Sequence, residues 1–223
     1  KIPDHRMMLF PASDVTFLDT WHTAGLRGSG SGDMAVHDLL VPRSCSISFI
    51  SDKPRIMAPL YAFPIFGLLA IGIAAVASGN ARAALREFAA LASTKRTPTG
   101  RTLVDRGTIQ SAYAEASARL QAARAFLFAE IDAACAQAAS ISVISGEQRA
   151  SLGLAATYMA RTAADVVRVV QDLAGGASVF LADPLHRRLS DAQVMTAHIM
   201  TAPATYELTG RALLGVPVSA AEL

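Results

Sequence analysis

The residue types best suited to chemistry are concentrated between Gln171 and His198. This stretch contains a glycine pair, a short basic cluster and a single histidine, in that order. Polar groups gathered at helix ends suit a bound anion, because unpaired backbone N–H groups and the helix dipole both favour negative charge there. His198 is a candidate proton-transfer group, since an imidazole titrates near neutral pH. The stretch therefore either lines a ligand site or caps a helical bundle, and both interpretations stay open.

The composition is strongly apolar, with 52% hydrophobic and 17% charged residues among 223. This is more apolar surface than a lone monomeric domain usually buries, which indicates large subunit interfaces or a membrane segment. A formal net charge of +2, without basic runs that alternate with aromatic residues, argues against a nucleic-acid partner. The two cysteines lie far apart, the histidines share no spacing with acidic residues, and no signal peptide is recognised. We therefore expect a cytoplasmic protein with reduced thiols and no metal.

Residues 56–81 include no charged side chain, and the run is long enough to cross a bilayer. Pro59 and Pro64 interrupt its beginning, and glycines and alanines make its second half small rather than strongly apolar. Small residues at close spacing suit tight packing between helices, in water as well as in membranes. The pattern favours a central bundle helix over a membrane span, and no membrane partner is expected.

The elements that must position these residues are strands first and helices afterwards. Three β-favourable runs, separated by turn formers, cover residues 6–10, 15–21 and 34–41. Helical spacing then predicts helices over residues 61–93, 103–139, 145–174 and from 183 to beyond His198. Ser145 and Gln148 form a predicted capping box, and Pro203 breaks the chain before a last turn. The predicted class is mainly α, an up-and-down four-helix bundle over residues 53–223, preceded by a few β-strands in residues 1–52.

The segment GLRGSGSGDMAVHDLLVP, residues 25–42, resembles the β-domain of the acyl-CoA dehydrogenase superfamily. The resemblance continues, in order and over essentially the whole chain, through Arg96-x3-Gly100, Ile109-Gln110, Gln171-x3-Gly175-Gly176 and Asp191-Ala192. It implies that residues 1–52 are part of a middle β-domain and that residues 53–223 are the C-terminal helical bundle. The N-terminal helical domain and the opening strands of that fold would be missing.

Two neighbouring residues favour one branch of this superfamily. The tail that carries the catalytic glutamate of the dehydrogenases falls on residues 190–201, and Ile199 occupies the glutamate position. His198 is similar to the histidine of the two-component flavin-dependent monooxygenases. The resemblance implies a homo-oligomeric oxygenase component that uses reduced flavin (FMN or FAD), O2 and a separate flavin reductase to hydroxylate an aromatic or heteroaromatic substrate. His198 would hold or accept a substrate proton, or hydrogen-bond the activated oxygen.

The resemblance also assigns cofactor contacts. Arg96 is similar to the arginine that reaches the flavin pyrophosphate of a neighbouring subunit, and otherwise it is a solvated charge at a helix end. Gly175 and Gly176 either cap a helix or let the flavin approach bare backbone, with Gln171 as a donor one turn earlier. Ser190 replaces an arginine that the family usually has, so its local ion pair is in doubt.

Two other functions stay open at this point. One is an acyl-CoA dehydrogenase-type oxidoreductase whose base lies elsewhere in the fold. The other is a non-catalytic helical assembly module that has lost its flavin. The glycine-rich loop over residues 25–33 leads into a strand and lacks the spacing of a dinucleotide-binding turn, so we expect a flexible turn beside the active site.

Overall fold

The computed structural model describes residues 5–48, 51–56, 58–140 and 143–219. The described N-terminal part has four strands of two residues each: β1 (Met7–Met8), β2 (Thr16–Phe17), β3 (Met34–Ala35) and β4 (Ser46–Ile47). β1 pairs antiparallel with β4, and β2 pairs antiparallel with β3. The predicted strands are therefore in the right places but far too long. A β-favourable run becomes a strand only where a neighbour pairs with it, and isolated two-stranded ribbons are only marginally stable.

Six helices follow in the described residues: α1 (Pro59–Ala62), α2 (Ile65–Thr94), α3 (Gly107–Ser140), α4 (Gly146–Ala174), α5 (Pro184–Thr196) and α6 (Ala204–Leu213). The predicted class, a mainly helical fold preceded by a few strands, is confirmed. The first predicted helix is divided at Pro64, which precedes α2, and the second begins later because residues 103–105 form a short 3-10 turn. The predicted last turn is a full helix that begins directly after Pro203.

The core is built around α4, which packs against α2, α3, α5 and α6. Its buried face includes Met159, Val166, Val167 and Val170, each at most 1% exposed. Full burial of one such side chain contributes about 1.5–3 kcal/mol. Many of the partner positions on α2 and α3 are alanines, so the helix backbones approach closely. This central packing fixes the ends of α4 and α5, where the predicted site residues lie.

The predicted capping box at the start of α4 forms only in part. The Ser145 hydroxyl accepts a hydrogen bond from Gln148 N–H at 3.2 Å, as expected for an N-cap. The Gln148 side chain does not turn back to the cap. It donates instead to the Glu130 carboxylate on α3 at 2.9 Å, because that charged acceptor is within reach across the bundle.

The helix α2 is long and apolar enough to cross a bilayer, by length and composition alone. Half of its most apolar 18-residue stretch is buried inside the bundle. The same length and burial are found in core helices of bundles. Its outer face leaves Leu69 48% and Val76 58% exposed. Such a face is suited to contact with another protein surface.

Candidate functional site

His198 lies in a turn that follows α5, not on the helix itself as predicted. The last helical residue is Thr196, and the buried Thr201 donates its hydroxyl to Met195 O at 3.1 Å. Thr201 N–H also donates to His198 O at 2.9 Å. The first bond satisfies a carbonyl group at the end of α5, and the second closes the turn that takes the chain out of the helix.

The imidazole of His198 is exposed and held by its own turn. Its Nδ1 accepts a hydrogen bond from Met200 N–H at 3.2 Å. In the neutral ring the proton is therefore on Nε2, which can donate to a ligand. The neighbouring Ile199 is 74% exposed, so the position of the family's glutamate presents only a hydrocarbon side chain. The geometry suits hydrogen-bond donation and proton transfer at Nε2, and it offers no carboxylate base at position 199.

Arg96 closes its own loop. The guanidinium donates from Nη1 to Gly100 O at 2.8 Å, and Arg96 bridges Thr102 in an antiparallel pair. Gly100 has a φ of +82°, in the left-handed region that favours glycine. The four-residue spacing between Arg96 and Gly100 thus has a local structural cause. The side chain is exposed, and its fork of N–H groups leaves donors for a second acceptor.

Gly175 ends α4 and adopts a φ of +60°, which supports the capping interpretation. Its N–H donates to the carbonyl groups of Gln171 and Asp172, and the buried Ser178 hydroxyl donates to Gln171 O at 3.1 Å and to Gly175 O at 2.8 Å. No heavy atom lies within 4 Å of the position that a Cβ would take at Gly175 or at Gly176. The glycine pair therefore caps the helix and also leaves its backbone open to an approaching group.

Lys95 joins the two predicted cofactor-binding segments. Its ammonium donates to Ala174 O, the last carbonyl of α4, at 2.6 Å. This bond brings the loop of Arg96 to the end of α4, next to Gly175. His198 is separated from that end by the length of α5, about 18 Å at 1.5 Å per residue. The structure thus links the segment of Arg96 to the end of α4 through Lys95, while His198 lies beyond the other end of α5.

The two helix ends in this segment offer an anion different surroundings. The glycine pair follows the C-terminal end of α4, where the helix dipole is negative and does not favour an anion. At the N-terminus of α5, the Asp183 carboxylate accepts a hydrogen bond from Leu185 N–H at 2.8 Å. Positive charge near the end of α4 comes from Lys95 and the neighbouring Arg96, and such cations are suited to a phosphate group.

A second contact, between the glycine-rich loop and α5, was not found by sequence reasoning. Leu26 N–H donates to the Asp191 carboxylate at 2.7 Å, although the two residues are 165 positions apart. Gly25 is buried against the backbone of Ser190. Leu26 has a φ of +52°, and its carbonyl accepts from the Trp21 indole at 3.0 Å. The loop is therefore anchored on the helix that leads to His198. The sequence marked both the loop and Asp191 as motif residues, but nothing in it indicated that they are in contact.

An ion pair forms near Ser190 through Arg188. Its guanidinium lies 2.7 Å from the Glu87 carboxylate on α2, and both side chains are about a quarter exposed. Hydrogen bonding to Glu87 raises the pKa of Arg188 above its usual range. The buried Asn80 donates to Arg188 O at 2.8 Å, so α5 is fixed to α2 at this point. Ser190 itself donates to His186 O at 3.1 Å, within its own helix. Among the described residues, no three histidine, cysteine or acidic side chains gather as they would around a metal ion.

The sequence profile of a protein family identifies the bundle. The family described as "Acyl-CoA dehydrogenase, C-terminal domain" matches residues 71–203, which is more than half of the chain. The chain belongs to this family. Its matched region runs from α2 to the turn of His198 and Thr201, so it includes every predicted site residue.

Relatives with curated names are monooxygenases and hydroxylases. Indole-3-acetate monooxygenase of Pseudomonas putida is 34% identical over 217 residues, which are 96% of this chain and 55% of that protein. The oxygenase component of an FADH(2)-dependent resorcinol hydroxylase from Rhizobium sp. is 26% identical, over 96% of this chain and 57% of that protein. The chain thus spans little more than half the length of these relatives.

Solved structures share the fold. The 3-HSA hydroxylase of Rhodococcus sp. RHA1 superimposes with a TM-score of 0.89 at 22% identity, covering 99% of this chain and 59% of that one. XiaF from Streptomyces sp., solved with FADH2 and glycerol, gives a TM-score of 0.85 at 24% identity, covering 95% of this chain and 56% of that one. At these identities the likeness establishes the fold of the acyl-CoA dehydrogenase C-terminal domain and its preceding strands.

Proposed function

We propose that this chain is the C-terminal portion of the oxygenase component of a flavin-dependent monooxygenase, which hydroxylates an aromatic or heteroaromatic substrate with reduced flavin and O2. One observation carries the proposal. The family's position for the α-proton base is the exposed Ile199, and the adjacent His198 presents an exposed imidazole whose Nδ1 accepts a hydrogen bond from Met200 N–H. An isoleucine cannot accept a proton, whereas an imidazole can hold or transfer one. The names of the relatives support the same class of reaction.

His198 is the proposed proton-handling residue. When bound, the flavin supplies the activation of O2. The Met200 N–H fixes the imidazole at Nδ1, so Nε2 can donate to an oxygen atom or pass a proton to and from a phenol. The contact of Gly25 and Leu26 with Ser190 and Asp191 holds the glycine-rich loop on α5, two helical turns before this histidine. We propose that the loop covers the substrate side of the site.

The flavin phosphates are the proposed ligand of Arg96, Gln171, Gly175 and Gly176. Because these residues lie at the opposite end of α5 from His198, they would serve the flavin that reacts at a neighbouring copy. The site is then complete only in a homo-oligomer, a dimer or tetramer, and the exposed apolar face of α2 suits such a contact. FMN and FAD both remain suitable cofactors. A separate flavin reductase would supply the reduced form in the cytoplasm. The division into a β-domain portion (1–52) and a helical domain (53–223) is part of the same proposal.

Substitution of His198 tests the proposal directly. The full-length protein is supplied with chemically reduced flavin and O2, and hydroxylated product is measured for each of a set of aromatic acids and phenols. We expect His198→Ala to lower product formation by 10²-fold or more, at the order of magnitude of a general acid or base. The matched control is His186→Ala, the same change at the other end of α5. Product formation that is undiminished in His198→Ala, or equally reduced in both variants, would contradict the assignment.

A further inference from the structure

A groove on the surface of the bundle is lined by three arginines and by no acidic residue. It lies between α2 and α3, has a volume of about 330 Å³, and has no α4 residue in its lining. Arg82 and Arg86 enter it from successive turns of α2, and Arg124 enters it from α3. Leu85 and Leu120 also line it, but both are largely buried in the core, 8% and 3% exposed. The groove is therefore strongly basic in a chain whose formal net charge is only +2.

No carboxylate in the described part of the chain neutralises the three arginines of the groove. Within the described ranges, neither Arg82, Arg86 nor Arg124 forms an ion pair, whereas Arg119, also on α3, lies 3.7 Å from Asp165. Arg124 forms a cation–π pair with the ring of Phe128, with 4.8 Å between guanidinium carbon and ring centroid. Like charges gathered in one groove repel one another, and a bound anion removes that repulsion.

We propose that this groove binds a small molecule that carries a phosphate group. Three guanidinium groups from two helices present planar forks of N–H donors, which match the several oxygens of a phosphate dianion. The volume lies at the lower end of the range for small-ligand sites. The groove is separate from the proposed flavin-phosphate contact, since about 12 Å of helix lies between Arg86 and the end of α2. The inference goes beyond the proposed function, because none of the residues proposed to handle the proton or to bind the flavin lines the groove.

Calorimetric titration of the full-length protein with inorganic phosphate and with phenyl phosphate tests the inference, at constant ionic strength and without flavin. We expect saturable binding of one molecule of either ligand per chain, because both carry the phosphate oxygens that the three guanidinium groups can bind. Arg86→Gln and Arg124→Gln should each weaken binding about tenfold. Both side chains are exposed, so the variants should fold. Because Arg86 and Arg124 lie on different helices, either variant still tests the inference if the other variant fails to fold. Arg119→Gln, which removes the same charge from α3 outside the groove, should leave the affinity unchanged.

Four results would overturn the inference. The first is the absence of saturable binding to the parent protein. The second is an equal loss of affinity in Arg119→Gln, which would indicate general electrostatic attraction. The third is binding that is lost in Arg96→Gln but retained in Arg86→Gln, which would assign the phosphate to the proposed flavin contact. The fourth is an oligomer that dissociates on Arg86→Gln while the parent binds no phosphate, because the groove would then be a contact between copies.

Discussion

Replacement of Gly25 by alanine tests the contact between the glycine-rich loop and α5, on which the proposed site depends. Gly25 is buried, and an added Cβ would lie 2.6 Å from the backbone nitrogen of Asp191 and closer still to the carbonyl group of Ser190. Cβ atoms essentially never approach within 3.0 Å of such atoms, so the loop or the helix must move. That movement stretches the 2.7 Å hydrogen bond from Leu26 N–H to the Asp191 carboxylate.

The expected magnitude follows from these two effects. Forced overpacking costs about 1–3 kcal/mol, and loss of a hydrogen bond to an ionised group costs about 1.5–3 kcal/mol. Because the same displacement relieves the clash and stretches the bond, the two costs do not add fully. We expect a total of about 3 kcal/mol, which lowers Tm by roughly 6–12 °C for a folding unit of this size.

Thermal unfolding of the full-length protein, followed by near-ultraviolet circular dichroism, measures this effect. Gly28→Ala is the matched control, because it makes the same change in the same loop where no heavy atom lies within 4 Å of the added Cβ. The control should change stability by no more than about 0.5 kcal/mol. Equal Tm values for the two variants would refute the contact of Gly25 with α5.

Three further predictions concern contacts that position the same elements. In a double-mutant cycle, Glu87 and Arg188 are replaced by alanine singly and together. The coupling energy should be about 1–2 kcal/mol, between the values typical of exposed and of buried ion pairs. A coupling energy near zero would contradict the ion pair. Hydrogen bonds from the hydroxyl and the N–H of Thr102 lower the pKa of Asp105. The ionised Asp105 carboxylate therefore stabilises the fold at a pH above the ordinary carboxyl pKa, and this stabilisation is lost as the pH falls through the lowered pKa. Carboxyl carbon NMR titration should show this lowered pKa and its rise in Thr102→Val, and an equal pKa in parent and variant would contradict it. Lys95→Gln should destabilise the protein by about 1 kcal/mol in urea unfolding, because the ammonium no longer neutralises the C-terminal end of α4, and unchanged stability would argue against that role.

The long helices were predictable because their signal is local. Helical spacing of apolar residues, Ser145 at an N-cap and Gly175 at a C-terminus locate α4 to within a residue. The strands were overestimated because strand length depends on pairing with distant segments. The end of α5 was misplaced because the Thr201 hydroxyl, which reaches back to Met195 O, captures a carbonyl that a longer helix would use.

The candidate site was predictable as a set of residues but not as an arrangement. The bond that links the segment of Arg96 to the end of α4 comes from Lys95, which is an ordinary lysine in the sequence. The pair of Arg188 and Glu87 spans 101 positions, and no local pattern indicates it. The separation of His198 from the glycine pair follows from the length of α5, which depends on where that helix ends.

We propose that the full-length protein activates oxygen and does not desaturate acyl-CoA. Mass spectrometry of the product that it forms from indole-3-acetate and related aromatic substrates, with reduced flavin under oxygen-18 gas, tests this proposal. We expect a hydroxylated aromatic product that carries one oxygen-18 atom. No aromatic product, together with anaerobic bleaching of the oxidised flavin by acyl-CoA, would contradict it.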